Sequence, residues 1–426
     1  MQNVATYPRL QSGPFTAKRN GLLTYVRGFS LVVWMLCLQL PFWWVADWTF
    51  WRSADGPNFH NYYYVGFAVC LCAHLTLGLN AWIRGTFGLL SMWPGRLVAV
   101  FCAIALALSP LSLAPSTTAR YAVATWGVYL LTYLFWQADY RVTRKMIVLT
   151  GVVLFAWQGV LAIKHGVNVG VSIGGILRNY TGQAGLTAMV CCMMSAKRHM
   201  QWSGIAVALF LALLVNSRGT LVAMAAFLIV YYAVFNGSYR FILFGSIAAA
   251  ATIALFLIWP DLWNHLSTRV FALHDKDRGL GSGFTGRWDL LMDGINSFWK
   301  TPVFGCGFRS AFEVGRSASH SGIIRLFVET GFVGGFLILG AIFIEMKRRF
   351  FLVQRIRDLP ALALPEIDIL ETTRINSIAF AMYCMSLTLW VYEPVYINLG
   401  AVSSLLFWVM MVAPTYITKQ GVPIQR

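Results

Sequence analysis

Apolar runs of membrane length, most of them ending in basic residues, leave this chain few folds to choose from. A bilayer core offers the backbone no water, so a spanning segment must satisfy its own N–H and C=O groups. A helix of roughly 20 mainly apolar residues does this. Such runs fall near 29–51, 61–82, 97–114, 121–138, 146–163, 182–196, 202–216, 220–236, 241–260, 322–345, 376–392 and 397–414. Only 12% of the 426 residues are charged, half the roughly 25% of a soluble domain. The expected fold is an all-α polytopic membrane protein with about twelve transmembrane helices. Trp43, Trp44, Trp48 and Trp51 gather at one end of the first run, as an interfacial aromatic belt does.

Charge sets the topology. With the tail 1–28 inside, alternation puts Arg84 and Arg96, then Arg141, Arg144 and Lys145, then Lys197 and Arg198, then Arg240 on the inner side. Lys347, Arg348, Arg349, Arg355, Arg357 and Arg374 follow there, as does the tail 415–426. Every inner connection is basic, as the positive-inside rule requires. Spans one to nine then occupy 29–260, a long external loop runs over 261–321, and spans ten to twelve occupy 322–414. The first residues hold Arg9, Lys18, Arg19 and Arg27 but no short apolar core with a small-residue cleavage site, so an uncleaved first span is expected. The net charge of +17 belongs to this topology. Membrane lipids are the expected surroundings, and nucleic acid is not an expected partner. Seven of the eight cysteines lie in apolar segments, Cys306 lies in the polar loop, and no CxxC spacing occurs. Small buried side chains are the expected role of these thiols.

The remaining basic residues fall outside, against the usual bias: Arg178, Arg218, and in the loop Arg269, Lys276, Arg278, Arg287, Lys300, Arg309 and Arg316. Arg218 sits in Asn216-Ser217-Arg218-Gly219, a tight turn inside an otherwise apolar stretch from Gly204 to Phe235. An ionisable residue at membrane depth costs about 2.5 kcal/mol or more, and usually has a partner or a function. The alternative is an arginine reaching to the headgroups. Arg178 lies in a re-entrant-looking stretch from Lys164 to Gln183, where interfacial anchoring is the competing reading. Residues from Arg287 to Trp299 carry Trp288, Leu291, Met292, Ile295 and Phe298 at helical spacing, which predicts an amphipathic helix stopped by Thr301-Pro302. Arg287 falls in its first turn, where free N–H groups and the dipole favour an anion. His320 closes the loop. With Ser319 as helix cap, the dipole keeps its imidazole neutral and available as a base. Arg325 and Glu329, at i and i+4, are expected to pair and to be structural. Asp275-Lys276-Asp277 has no second carboxylate cluster near it in sequence, so no metal site and no cofactor are expected. The adjoining Gly-rich segment 278–283 reads as a flexible lid.

Together, Asn216-Ser217-Arg218-Gly219, Gly286-Arg287-Trp288 leading to Thr301-Pro302-Val303-Phe304-Gly305-Cys306-Gly307, and Ser319-His320 with Glu329-Thr330-Gly331-Phe332-Val333-Gly334 resemble the O-antigen ligase superfamily. Many members have Asn after the histidine, where this chain has Ser321. The resemblance implies a membrane glycosyltransferase of GT-C architecture in the bacterial inner membrane, active at the periplasmic face. Its donor would be a glycan on undecaprenyl pyrophosphate and its acceptor the lipid A-core oligosaccharide. His320 would be the catalytic base, and Arg218, Arg287 and Arg178 would hold the pyrophosphate. An O-antigen polymerase or a protein O-oligosaccharyltransferase shares these motifs. A transporter of lipid-linked glycans is the rival from another class, but its charges would lie inside broken spans near the midplane.

Overall fold

The computed structural model describes residues 21–40, 59–137, 140–168, 172–173, 176–215, 217–237, 287–310, 321–358, 367–393, 401–417 and 423–424. Several sequence expectations lie outside these residues: the tryptophan belt at 43–51, the span at 241–260, Asp275–Asp277, the segment 278–283, Asn216, Ser319 and His320.

Among the described residues the chain is almost wholly helical. The helices are α1 (Gly21–Cys37), α2 (Phe59–Leu75), α3 (Leu79–Ser91), α4 (Trp93–Ala107), α5 (Pro115–Trp136), α6 (Tyr140–His165), α7 (Arg178–Met193) and α8 (Arg198–Leu214). They continue with α9 (Arg218–Asn236), α10 (Arg287–Lys300), α11 (Gly322–Asp358), α12 (Ile369–Tyr392) and α13 (Val402–Met411). By length and composition three of them (α6, α9 and α11) are apolar enough to cross a membrane. The bent pair Tyr64–Leu75 and Leu79–Ser91 makes a fourth if it is one span. Helices α1, α4, α8 and α13 are apolar but shorter. An apolar helical bundle of this kind is compatible with a polytopic membrane protein.

Two expectations change shape. The run at 61–82 is not one helix: α2 stops at Leu75 and α3 leaves it at 110°. The stretch 164–183 forms three two-residue strands, Val167–Asn168, Ser172–Ile173 and Ile176–Leu177, paired antiparallel with Val167 opposite Ile173 and Ser172 opposite Leu177. Helix α7 then starts at Arg178.

Polar ties set the helix directions. Early in α12, Arg374 interacts with Tyr231 late in α9, and Arg357 at the end of α11 donates to the carbonyl of Val234. At the other end, the N–H of Gly322 donates to the carbonyl of Glu393 at 3.0 Å. So α9 and α11 run together and α12 runs back between their ends. The end holding the termini of α9 and α11 is the basic one. There Arg144 and Arg374 share Oε1 of Glu371 at 2.5 and 2.8 Å. The run 347–357, expected as a connection, is instead helical, because α11 continues to Asp358. Its Arg349 is fully buried: it pairs with Glu345 at 2.8 Å and donates to Asn376 Oδ1 at 2.9 Å and to the carbonyl of Ala413 at 2.7 Å. A buried guanidinium is costly unless paired and hydrogen-bonded, and here the bonds of its two Nη atoms tie α11, α12 and the end of α13 together. Of the cysteines, six are buried, Cys384 is half-buried and Cys72 is exposed.

Candidate functional site

At the opposite end, α11 is broken. Gly331 has φ 64° and ψ −169°, a region only glycine enters freely. A break frees backbone groups on both sides of it, and in an apolar bundle those groups need partners. The loop 301–310 supplies them. The N–H groups of Phe332 and Val333 donate to the carbonyls of Pro302 (2.7 Å) and Val303 (3.1 Å), while Cys306 and Gly307 donate to those of Val328 (3.0 Å) and Glu329 (2.9 Å). The approach is so close that a Cβ on Gly331 would lie 2.2 Å from the Val303 carbonyl oxygen. The two motifs Val303-Phe304-Gly305-Cys306-Gly307 and Glu329-Thr330-Gly331-Phe332-Val333-Gly334 are therefore two halves of one backbone joint.

Side chains pin this joint. Glu329 is fully buried; its Oε1 accepts from Nε of Arg325 at 2.8 Å and its Oε2 from the backbone N–H of Arg309 at 2.8 Å. The expected structural pair is present, with a second task in holding Arg309 at φ 64°. The base of α5 closes the far side: Thr118 Oγ1 donates to the Phe308 carbonyl at 3.0 Å, and the Phe308 ring meets Phe101 and Tyr121 edge-on. The amphipathic helix expected from 287 is α10, and Thr301-Pro302 follows its end. It packs against α11 through Phe298, whose ring lies 4.8 Å from that of Phe332. Leu291, Ile295 and Phe298 are half-buried, whereas Met292, expected on the same face, is exposed.

Three further chain segments reach this end. Ser321 precedes the first residue of α11, accepting from Ile324 N–H at 3.5 Å and donating to the Trp390 carbonyl at 3.2 Å. Ser321 is thus in the cap position, because Gly322 is the first helical residue. The start of α9 abuts α7: Ser217 Oγ lies 2.8 Å from Thr220 Oγ1, and a Cβ on Gly182 would lie 2.1 Å from that hydroxyl. Tyr180 joins both groups. The residue is exposed over part of its surface, and burial raises its phenol above the usual range. The Glu393 carboxylate adds to the rise, while Arg309 and Arg325 oppose it. The starts of α7, α9 and α11, the loop 301–310 and the end of α12 therefore face one neighbourhood.

Residues 203–339 match the family model described as O-antigen ligase. Through this segment the chain is similar to the O-antigen ligase family. Comparison with curated proteins found no match. The ligase-family segment begins in α8, ends in α11, and contains the whole joint. Arg178, Tyr180, Tyr121, Trp390 and Glu393 lie outside it and are brought to it by the fold.

The residues singled out in the sequence are placed as follows. Arg218 is the first residue of α9 and half-buried. Arg178 and Arg287 are the first residues of α7 and α10, and their side chains lie outside the described residues. All three thus begin helices, where free N–H groups favour anions. His320, one residue before Ser321, lies outside the description. Sequence reasoning passed over Gly331 as a break and Arg309 as more than one loop charge among many. A glycine inside a helical apolar run was the available signal for the first.

Proposed function

We propose that this protein is an O-antigen ligase: an inverting, metal-independent glycosyltransferase of GT-C architecture with twelve spans in the bacterial inner membrane. It moves a glycan from undecaprenyl pyrophosphate to lipid A-core oligosaccharide at the periplasmic face. One observation supports this most: the ligase-family segment brings the starts of α9 and α11 and the 301–310 loop to one end of the bundle, opposite the strongly basic end. The basic end is the cytoplasmic one by the positive-inside rule.

His320 takes the proton of the acceptor hydroxyl. The oxygen attacks the anomeric carbon opposite the pyrophosphate, the bond between that carbon and the pyrophosphate oxygen breaks, and undecaprenyl pyrophosphate leaves with that oxygen. Arg218, Arg287 and Arg178 hold the pyrophosphate and stabilise its growing charge. A preorganised donor of this kind is worth about 3 kcal/mol or more, and general-base help a factor of about 10² to 10⁴. Incubating the purified protein with lipid-linked glycan and lipid A-core should yield lipid A-linked glycan. His320→Ala should lower the rate by about 10² or more, and Arg287→Ala should lower it at least as much. Near-wild-type transfer by His320→Ala removes the base assignment. Glycan lengthening without lipid A-core makes the protein a polymerase instead.

A further inference from the structure

Arg309 is 8% exposed, yet its Nε and Nη1 are buried with no hydrogen-bond partner. The acid that holds its backbone is already engaged: both oxygens of Glu329 are occupied, by Arg325 and by the backbone N–H of Arg309 itself. What the guanidinium does have is the face of Tyr121, 5.3 Å from the ring centroid. A buried charge with idle donors is costly, and folds retain one when something else completes it. The backbone adds to the cost, since Arg309 is a non-glycine residue at φ 64°. The joint, the Glu329 contact and the Tyr121 ring fix the guanidinium where its charge, like that of Arg325, acts on Tyr180 against the opposing charge of Glu393.

Resting on the ligase reading above, we propose that Arg309 is a further anion-binding residue of this site, and that its open Nε and Nη1 donate to phosphate oxygens of the lipid-linked donor. A guanidinium stays charged at any working pH, and each of its N–H groups can donate singly to a phosphate oxygen. Tyr121 and Glu329 are positioning residues: one stacks the fork, the other fixes the backbone that carries it.

The test compares wild-type protein with Arg309→Met and Arg309→Lys, measuring the Kd for undecaprenyl pyrophosphate and for lipid A-core separately, and the thermal midpoint without ligand. Met fills the space and removes the unpaired charge, so the ligand-free midpoint should hold or rise. Affinity for undecaprenyl pyrophosphate should fall about tenfold or more, as when a charge-assisted hydrogen bond is lost. Lys should recover part of that affinity, and lipid A-core binding should not change. Unchanged pyrophosphate affinity in Arg309→Met overturns the assignment and leaves the ligase reading standing. So does a loss confined to lipid A-core, which moves the residue to the acceptor. Loss of the folded state in both variants makes Arg309 structural and likewise overturns it. Wild-type protein that does not bind undecaprenyl pyrophosphate overturns both readings.

Discussion

Glu329 illustrates how much one side chain can carry. It is buried completely, and its two oxygens hold a salt bridge within α11 and the main chain of the loop beside it. Replacing one member of such a pair strands the other's charge, at a cost of about 3–5 kcal/mol. Glu329→Gln should therefore lower the thermal midpoint in detergent markedly and reduce transfer, since its single amide oxygen cannot accept from both Arg325 and the Arg309 N–H. An unchanged midpoint would mean that the joint does not depend on this carboxylate. The pairing of Arg325 with Glu329 was legible from i,i+4 spacing. The second contact was not, because Arg309 is twenty residues away in sequence.

At the scale of elements, the break in α11 couples the loop to the bundle. Its cost is met by four backbone hydrogen bonds from or to residues 302–307. Gly331→Ala adds a Cβ 2.2 Å from the Val303 carbonyl oxygen and forces alanine into a backbone region that costs about 1–3 kcal/mol by itself. The loop must move or the helix must straighten. The expected outcome is a lower thermal midpoint and loss of transfer, with protease cleavage appearing between α10 and α11. Full activity with an unchanged midpoint would rule out a rigid joint. The helix α10 was readable from its 3.6-residue pattern and its Pro302 stop. The bend between α2 and α3, and the continuation of α11 through its basic run, were not, since a polar or charged end looks alike whether it is a loop or a helix.

For the whole molecule, the prediction concerns sides of the membrane. With exposed Cys72 replaced, Lys300→Cys at the end of α10 and Lys197→Cys between α7 and α8 mark the two ends. In spheroplasts a membrane-impermeant maleimide should label Lys300→Cys, and label Lys197→Cys only after lysis. Equal labelling of both in intact spheroplasts would place the joint and the basic end on one side and end the periplasmic reading. The helical, membrane-embedded class, the charge asymmetry and the family motifs all follow from local composition and spacing, which one pass along the chain reveals. Which motifs touch was decided only by folding: Val303 against Gly331, Gly182 against Thr220, and Ser321 against Trp390 are contacts between distant segments. The first exists because broken backbone in an apolar bundle must find its hydrogen bonds in another part of the chain, and no local pattern says which part that is.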